Sequence, residues 1–148
     1  NHARPWAPKR KRMTENLRSF VRDRAQDCCE YCQAQAKFSH DPFSVEHITP
    51  VVKGGTDDPE NLAWSCLGCN NYKYTATLAY DLVTAQMVPL FNPRTDIWSD
   101  HFRWSTDYTV VIGITPVGRA TVERLQMNRP GLMNIRMVLR MAGKHPPK

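Results

Sequence analysis

The sequence predicts an α+β domain built around a four-cysteine metal site. Two C-x-x-C pairs, Cys29/Cys32 and Cys66/Cys69, enclose two short β-rich runs that a glycine turn separates, and helical patterns lie on either side. Two residues between paired cysteines let both thiolates reach one ion, and two pairs complete a tetrahedron. We therefore expect structural Zn²⁺, bound by four thiolates that leave no open position for water.

The elements before and within this segment follow from hydrophobic spacing. Apolar residues recur at helical spacing behind Thr14, a fair N-cap, which predicts a helix over about 15–26. The β-rich runs 43–49 and 62–65 predict a loose hairpin, because two adjacent glycines punctuate the turn between them. A helical pattern then extends over about 70–80.

The C-terminal part predicts a loop, a strand and two helices. Pro89 and Pro93 break the chain, so we expect a loop there that carries Phe91, Trp98, Phe102 and Trp104. A strand is predicted over Tyr108–Ile114, because a β-branched run lies at the centre of this segment. Helices are expected over about 118–127 and 131–142, with Pro130 between them.

We expect one domain over residues 13–148, with a motif core at 29–80 and a C-terminal extension at 89–146. Residues 1–12 contain five basic side chains and no acidic one. That composition is typical of a disordered basic leader or arm.

The net charge of +6 is divided unevenly. Residues 13–118 carry 8 basic and 13 acidic side chains, whereas residues 119–148 carry 7 basic side chains and one acidic one. This asymmetry favours a body that gathers cations and a tail that binds a polyanion. Alternatively, the basic residues only solvate a helix face.

Cysteine usage indicates the compartment and the ligand set. Paired cysteines without an export pattern favour metal binding over disulfides, so we expect a cytoplasmic protein. No apolar run approaches the ~18 residues of a membrane span, so no membrane partner is expected. Ligation by the fifth cysteine, Cys28, would leave three residues before Cys32, so Cys29 is the preferred ligand.

The run from Phe43 to Lys73, FSVEHITPVVKGGTDDPENLAWSCLGCNNYK, resembles the HNH endonuclease motif, whose fold is the ββα-metal finger. The flanking cysteine pairs resemble the zinc-containing bacterial branch of that family. The segments PLFNPRTDIWSDHFRW and ITPVGRATVERLQMNR are also similar to small bacterial HNH proteins, which extends the resemblance over residues 14–146.

The resemblance implies a role for each motif residue. His47 is the general base, and Asn61 orients the motif loop and that base. Glu46 and Asn70 are the ligands of one catalytic divalent cation. Asn70 departs from the commonest pattern, in which this residue is histidine. Because Glu46 and Asn70 both offer hard oxygens, we expect Mg²⁺ or Mn²⁺. Asn70 also fits a simple helix cap.

Basic residues near the motif and in the tail are candidates for phosphate contacts. Arg136, Arg140 and Lys144 follow an i, i+4, i+8 spacing, which predicts one basic stripe on the last helix. The nucleic-acid-binding residues expected from the whole pattern are Lys73, Arg119, Arg124, Arg136 and Arg140, with Arg129 nearby. Contacts of this kind carry no sequence information.

We therefore expect a metal-dependent DNA endonuclease that leaves 5′-phosphate and 3′-hydroxyl ends, as the resemblance implies. One alternative is a noncatalytic, zinc-stabilised module that binds nucleic acid, although such a module has no need of the Glu46-His47 pair. A second alternative is a nuclease that acts mainly on RNA. The sequence predicts no particular oligomeric state or target site.

Overall fold

The computed structural model describes residues 13–147. Its helices and strands confirm the α+β class, and their bounds are α1 Glu15–Arg24, β1 Ser44–His47, β2 Leu62–Ser65, α2 Leu67–Lys73, β3 Leu78–Asp81, β4 Gln86–Pro89, α3 Trp98–His101, β5 Phe102–Trp104, β6 Val111–Gly113, α4 Pro116–Arg124 and α5 Pro130–Met141. Single 3₁₀ turns lie at Ala36–Phe38, Val51–Lys53 and Pro59–Asn61. The predicted basic leader over 1–12 lies outside the described residues.

Helix α1 begins where the sequence predicts. Oγ1 of Thr14 accepts a hydrogen bond from the backbone N–H of Leu17 at 3.2 Å. This bond satisfies one of the donors that the first turn of a helix leaves free. Val21 is fully buried, and the helix packs against both β1 and β2. It ends at Arg24, two residues before the predicted end.

Strands β1 and β2 form the predicted hairpin, and α2 follows them directly. The strands are antiparallel, with Ser44 opposite Ser65 and His47 opposite Leu62. Every residue of β2 is buried, whereas in β1 only Glu46 is buried. The segment is therefore a ββα unit, in agreement with the fold that the sequence predicts.

Helix α2 differs from the predicted helix over 70–80. It begins at Leu67, because Sγ of Cys66 caps it by accepting a backbone N–H of the first turn at 3.4 Å. It ends at Lys73, because Tyr74 adopts a φ of 52°, outside the right-handed helical region. The prediction is wrong beyond Lys73, where the chain enters the hairpin of β3 and β4.

The segment predicted as a loop after Pro89 contains the short helix α3 and strand β5, so this prediction is wrong in part. β5 pairs antiparallel with β6, with Trp104 opposite Val111. Aromatic packing orders the segment: the ring of Trp98 lies 5.1 Å from that of Phe102 and 5.5 Å from that of Trp104, centroid to centroid. The strand predicted over Tyr108–Ile114 is confirmed as the shorter β6.

The two C-terminal helices are confirmed, with ends within three residues of the predicted ones. α4 is capped by Thr115, whose Oγ1 accepts the backbone N–H of Gly118 at 3.0 Å. Pro116 and Pro130 occupy the first helical positions of α4 and α5, where a missing N–H costs nothing.

An ion pair joins α4 to the β3–β4 hairpin. Arg119 donates from Nε and Nη2 to the two carboxylate oxygens of Asp81, at 2.9 and 3.1 Å. Hydrogen bonds from Arg119 hold the pKa of the buried Asp81 carboxyl well below its usual range. The pair connects the C-terminal extension with the chain that leaves the ββα unit.

The buried apolar side chains of the described residues form one cluster, which includes all four cysteines of the two pairs. Within residues 13–147, no helix has the length and apolar character needed to cross a bilayer. The longest, α5, has 12 residues, against about 20 for a span.

Candidate active site

The four cysteines of the C-x-x-C pairs converge on one point beneath the hairpin. Their Sγ atoms all lie within 4.8 Å of one another, and all four side chains are buried. Sγ of Cys32 lies 3.7 Å from Sγ of Cys66. Four sulfurs at about 2.3 Å from one ion, at the corners of a tetrahedron, would be separated by about 3.8 Å. The cluster therefore fits Zn²⁺ in size and in ligand type.

The protonation of the cysteines also favours a bound cation. Burial raises the pKa of the Cys29 thiol, so a cation is needed to hold it as a thiolate among three further sulfurs. Cys28 is only partly buried and its Sγ contacts the backbone oxygen of Gln26 at 3.5 Å. Cys28 is not part of the cluster, whereas Cys29 is.

Arg129 lies against the cysteine cluster. Its Nη2 is 3.7 Å from Sγ of Cys66, and its Nη1 is 3.9 Å from Sγ of Cys69. A zinc ion with four thiolates has a net charge of −2, which a guanidinium offsets. Arg129 directly precedes α5, so it attaches the C-terminal helices to the metal site. From the sequence alone, Arg129 is only a neighbour of the phosphate-binding candidates, and its contact with the cysteines is not predicted.

An open cavity of about 420 Å³ lies between β1 and α2. His47 and Asn70 both line it, together with Val45, Asn71 and Thr75. The side chain of His47 is 21 % exposed, so its ring is accessible from solvent. Nδ2 of Asn70 donates to Oγ of Ser44 at 3.4 Å. The structure therefore brings two of the predicted site residues to one surface.

The imidazole of His47 has a carboxylate partner that the sequence analysis did not identify. Nε2 of His47 lies 2.7 Å from Oδ1 of Asp57, a residue in the loop between β1 and β2. A histidine beside a carboxylate is held in one orientation and one tautomer. Asp57 is adjacent to Asp58 in the sequence, and nothing in its spacing distinguishes it from that residue.

Asn61 closes the loop that carries Asp57. Its Oδ1 accepts the backbone N–H of Thr49 at 2.8 Å, and its Nδ2 donates to the backbone oxygens of Thr49 and Thr56 at 3.0 and 2.8 Å. Asn61 thus spans both ends of the turn. This is the geometry expected of a residue that orients the motif loop.

Glu46 lies on the other face of β1 from His47, because successive side chains of a strand alternate. The buried carboxylate accepts hydrogen bonds from the Tyr31 hydroxyl at 2.6 Å and from Nζ of Lys73 at 2.5 Å. Burial raises the pKa of the Glu46 carboxyl, and Lys73 opposes this increase. Glu46 is not among the residues that line the cavity. The residues present do not fit a cation bound jointly by Glu46 and Asn70, so this prediction is corrected.

Lys73 is 1 % exposed, so the prediction that it contacts nucleic acid is also wrong in this structure. Besides Glu46, its Nζ reaches the backbone oxygens of His47 at 3.3 Å and of Ile48 at 3.0 Å. An ammonium group has three donors, and these contacts use all of them. Lys73 therefore links helix α2 to the end of β1, which contains His47.

Two predicted phosphate-binding arginines are engaged by other residues of the protein. Arg136 is 4 % exposed, and its guanidinium donates to the backbone oxygens of Thr109 and Met127 at 2.9 and 2.6 Å. The predicted basic stripe on α5 is therefore wrong at Arg136. Arg119 is committed to the carboxylate of Asp81.

Arg124 and Arg140 remain exposed. Nε of Arg124 donates to the backbone oxygen of Tyr72 at 3.0 Å, at the C-terminal end of α2, where a cation is favoured. The guanidinium of Arg140 lies 3.9 Å from the ring centroid of Tyr108. These two side chains are positioned by internal contacts and still present positive charge at the surface.

Residues 29–75 match the family model described as HNH endonuclease. The matched segment is less than half of the chain and contains both cysteine pairs, the hairpin and α2. An HNH domain is therefore present at residues 29–75, which confirms the resemblance for this segment. No curated protein and no solved structure significantly matches the chain.

Proposed function

We propose that this protein is a metal-dependent DNA endonuclease in which His47 is the general base. The observation that carries the proposal is the cavity that His47 and Asn70 share within the HNH segment. Zinc, bound by Cys29, Cys32, Cys66 and Cys69, has a structural role, because a site closed by four thiolates has no position for a substrate.

The chain's own residues supply the first proton transfer. Hydrolysis of a phosphodiester requires a water molecule that loses a proton as it attacks phosphorus. A solvent-accessible imidazole beside an open cavity is suited to accept this proton near neutral pH. Lys73 holds the backbone at His47, and Asn61 holds it two residues later at Thr49, so the ring enters the reaction from a fixed position.

Arg124 and Arg140 support a nucleic-acid substrate, because both present exposed guanidinium groups that suit phosphate. DNA is the substrate that the HNH resemblance implies. Competition between DNA and RNA of the same sequence tests this choice. Cleavage of labelled DNA is measured with an excess of unlabelled DNA or unlabelled RNA. Stronger inhibition by the unlabelled DNA supports DNA as the substrate, whereas stronger inhibition by the RNA would indicate an RNA-directed nuclease.

The proposed catalytic cation is Mg²⁺ or Mn²⁺. Asn70 lines the cavity, and its Nδ2 donates to Oγ of Ser44, so its Oδ1 is the hard oxygen that this side chain offers a cation. Mg²⁺ is commonly bound by one or two protein oxygens, with substrate phosphate and water as the remaining ligands. When bound, such an ion offsets charge on the phosphate and on the leaving oxygen.

The cation requirement is tested with protein that retains its zinc. Zinc-loaded protein in buffer without other divalent ions is expected to cut plasmid DNA at a background rate. Adding Mg²⁺ or Mn²⁺ is expected to raise the rate at least tenfold. Zinc content is measured in parallel to show that the structural site remains filled. Full activity with zinc alone would contradict the proposed second cation.

His47→Ala tests the base directly. We expect the rate of plasmid nicking to fall by about 10²–10⁴-fold, the usual contribution of a general base. Binding of DNA, measured by fluorescence anisotropy, is expected to change little, because the substitution removes a proton acceptor and no phosphate contact.

His40→Ala is the matched control, because His40 is an exposed histidine outside the cavity. It is expected to cut DNA at the wild-type rate. If His47→Ala also cut at the wild-type rate, the proposed function would fail. A noncatalytic module would bind DNA in all three forms and cut it in none.

A further inference from the structure

The loop between β1 and β2 brings Asp57 to the ring of His47. Oδ1 of Asp57 lies 2.7 Å from Nε2 of His47, within hydrogen-bond distance. A carboxylate oxygen at this distance accepts a hydrogen bond and does not donate one. Nε2 therefore carries the imidazole proton, and Nδ1 of the neutral ring keeps its lone pair.

The turn that delivers Asp57 is tightly built. The backbone oxygen of Thr56, the residue before Asp57, accepts a hydrogen bond from Nδ2 of Asn61 at 2.8 Å. Gly55 packs so closely on the other end of the turn that a Cβ atom there would lie 1.7 Å from the backbone oxygen of Thr49. Only glycine fits this approach. The contact between Asp57 and His47 is therefore supported by a loop whose backbone is held in place at both ends.

We propose that Asp57 is a positioning residue that holds His47 in the Nε2–H tautomer, with Nδ1 as the nitrogen that accepts the proton. This inference rests on the proposed function. In the reaction, Nδ1 forms a bond to a proton of water while the water oxygen bonds to phosphorus and the bond to the leaving oxygen breaks. The leaving oxygen takes a proton from solvent. Asp57 stabilises the imidazolium, which then returns its proton to solvent.

Asp57→Asn reverses the polarity of the contact. An amide can present its N–H₂ to Nε2, which favours the tautomer with the proton on Nδ1 and blocks the basic nitrogen. We expect kcat for strand cleavage to fall by about 100-fold or more, since misplacing the proton in a comparable acid–histidine pair has a large effect. KM for DNA and the melting temperature are expected to stay near their wild-type values.

Asp58→Asn is the matched control. It makes the same charge change one residue along, and the carboxylate of Asp58 accepts the backbone N–H of Glu60 at 2.9 Å, a bond that asparagine can retain. This variant is expected to keep wild-type kcat. Equal losses in both variants would indicate a general charge effect and would overturn the positioning role.

The tautomer itself is read by ¹⁵N NMR of the histidine side chains, with His47 assigned from His47→Ala. The wild-type protein is expected to show protonated Nε2 in the neutral ring, and Asp57→Asn is expected to show protonated Nδ1. An unchanged tautomer, or an unchanged kcat in Asp57→Asn, would overturn the inference. If Asp57→Asn keeps full activity while His47→Ala loses it, the proposed function stands and only the role of Asp57 fails.

Discussion

Replacing Cys66 with serine is expected to unfold the protein at 25 °C. Zinc binding to sites of this type contributes about 10–16 kcal/mol in small zinc-finger peptides. That range is comparable to the whole free energy of unfolding of a typical domain, about 5–15 kcal/mol. Cys66 also caps α2 and contacts Arg129, so its loss affects the metal site, the helix and the C-terminal extension together.

Cys28→Ser is the matched control for this prediction. Cys28 is the one cysteine outside the cluster, so the variant is expected to bind one equivalent of zinc and to melt at the wild-type temperature. Circular dichroism and zinc content provide the measurements. A folded Cys66→Ser variant with wild-type melting would show that the cluster does not hold the domain together.

Glu46→Gln is expected to lower the free energy of unfolding by about 3–5 kcal/mol, the usual cost of removing one partner of a buried ion pair. Glutamine preserves the shape of the side chain but leaves the ammonium of Lys73 buried without its counter-charge. The contact with Tyr31 is weakened as well. Urea denaturation measures this loss.

Two further variants test whether the loss of stability comes from the buried ion pair. Glu123→Gln makes the same change at an exposed acid and is expected to alter stability by less than about 0.5 kcal/mol. Glu46→Leu combined with Lys73→Met removes both charges, so it is expected to recover much of the stability that Glu46→Gln loses.

The same Glu46→Gln protein distinguishes a structural carboxylate from a metal ligand. At a temperature where the variant is folded, the Mg²⁺ concentration for half-maximal cleavage is expected to match that of the wild type. Unchanged stability with at least a tenfold higher Mg²⁺ requirement would contradict the structural role. That outcome would restore Glu46 as a ligand of the cation.

The zinc site and the hairpin could be predicted from the sequence because each has a local cause. The spacing of Cys29/Cys32 and Cys66/Cys69 reflects the reach of two thiolates to one ion. The two β-rich runs and the glycine turn between them specify a hairpin without reference to the rest of the chain. His47 and Asn70 follow from the same segment, since the hairpin and α2 place them on one cavity.

The buried environment of Glu46 could not be predicted, because it depends on contacts that no local sequence pattern encodes. Alternation along a strand already places Glu46 and His47 on opposite faces, so a site shared by both would need a bend in the backbone of β1. The partners Tyr31 and Lys73 lie 15 and 27 residues away. These contacts depend on tertiary packing, such as that of α2 against β1, and helix or strand propensity does not specify that packing.

Two basic residues of the C-terminal part, Arg119 and Arg136, failed as predicted phosphate contacts for a related reason. Spacing on a helix identifies a stripe but not whether the stripe faces water or protein. Arg136 meets backbone oxygens of the segment before α5, and Arg119 meets Asp81 on another element. Both outcomes depend on tertiary packing, as does the helix predicted over 70–80, which Tyr74 ends by adopting a positive φ.

Chemical rescue of His47→Ala by imidazole is the most direct measurement of whether a proton acceptor at residue 47 drives phosphodiester cleavage. Removing the ring leaves the cavity open to a small base, so added imidazole is expected to raise the nicking rate of His47→Ala at least tenfold. The wild-type rate is expected to stay constant. Wild-type nicking by His47→Ala without imidazole would contradict the account.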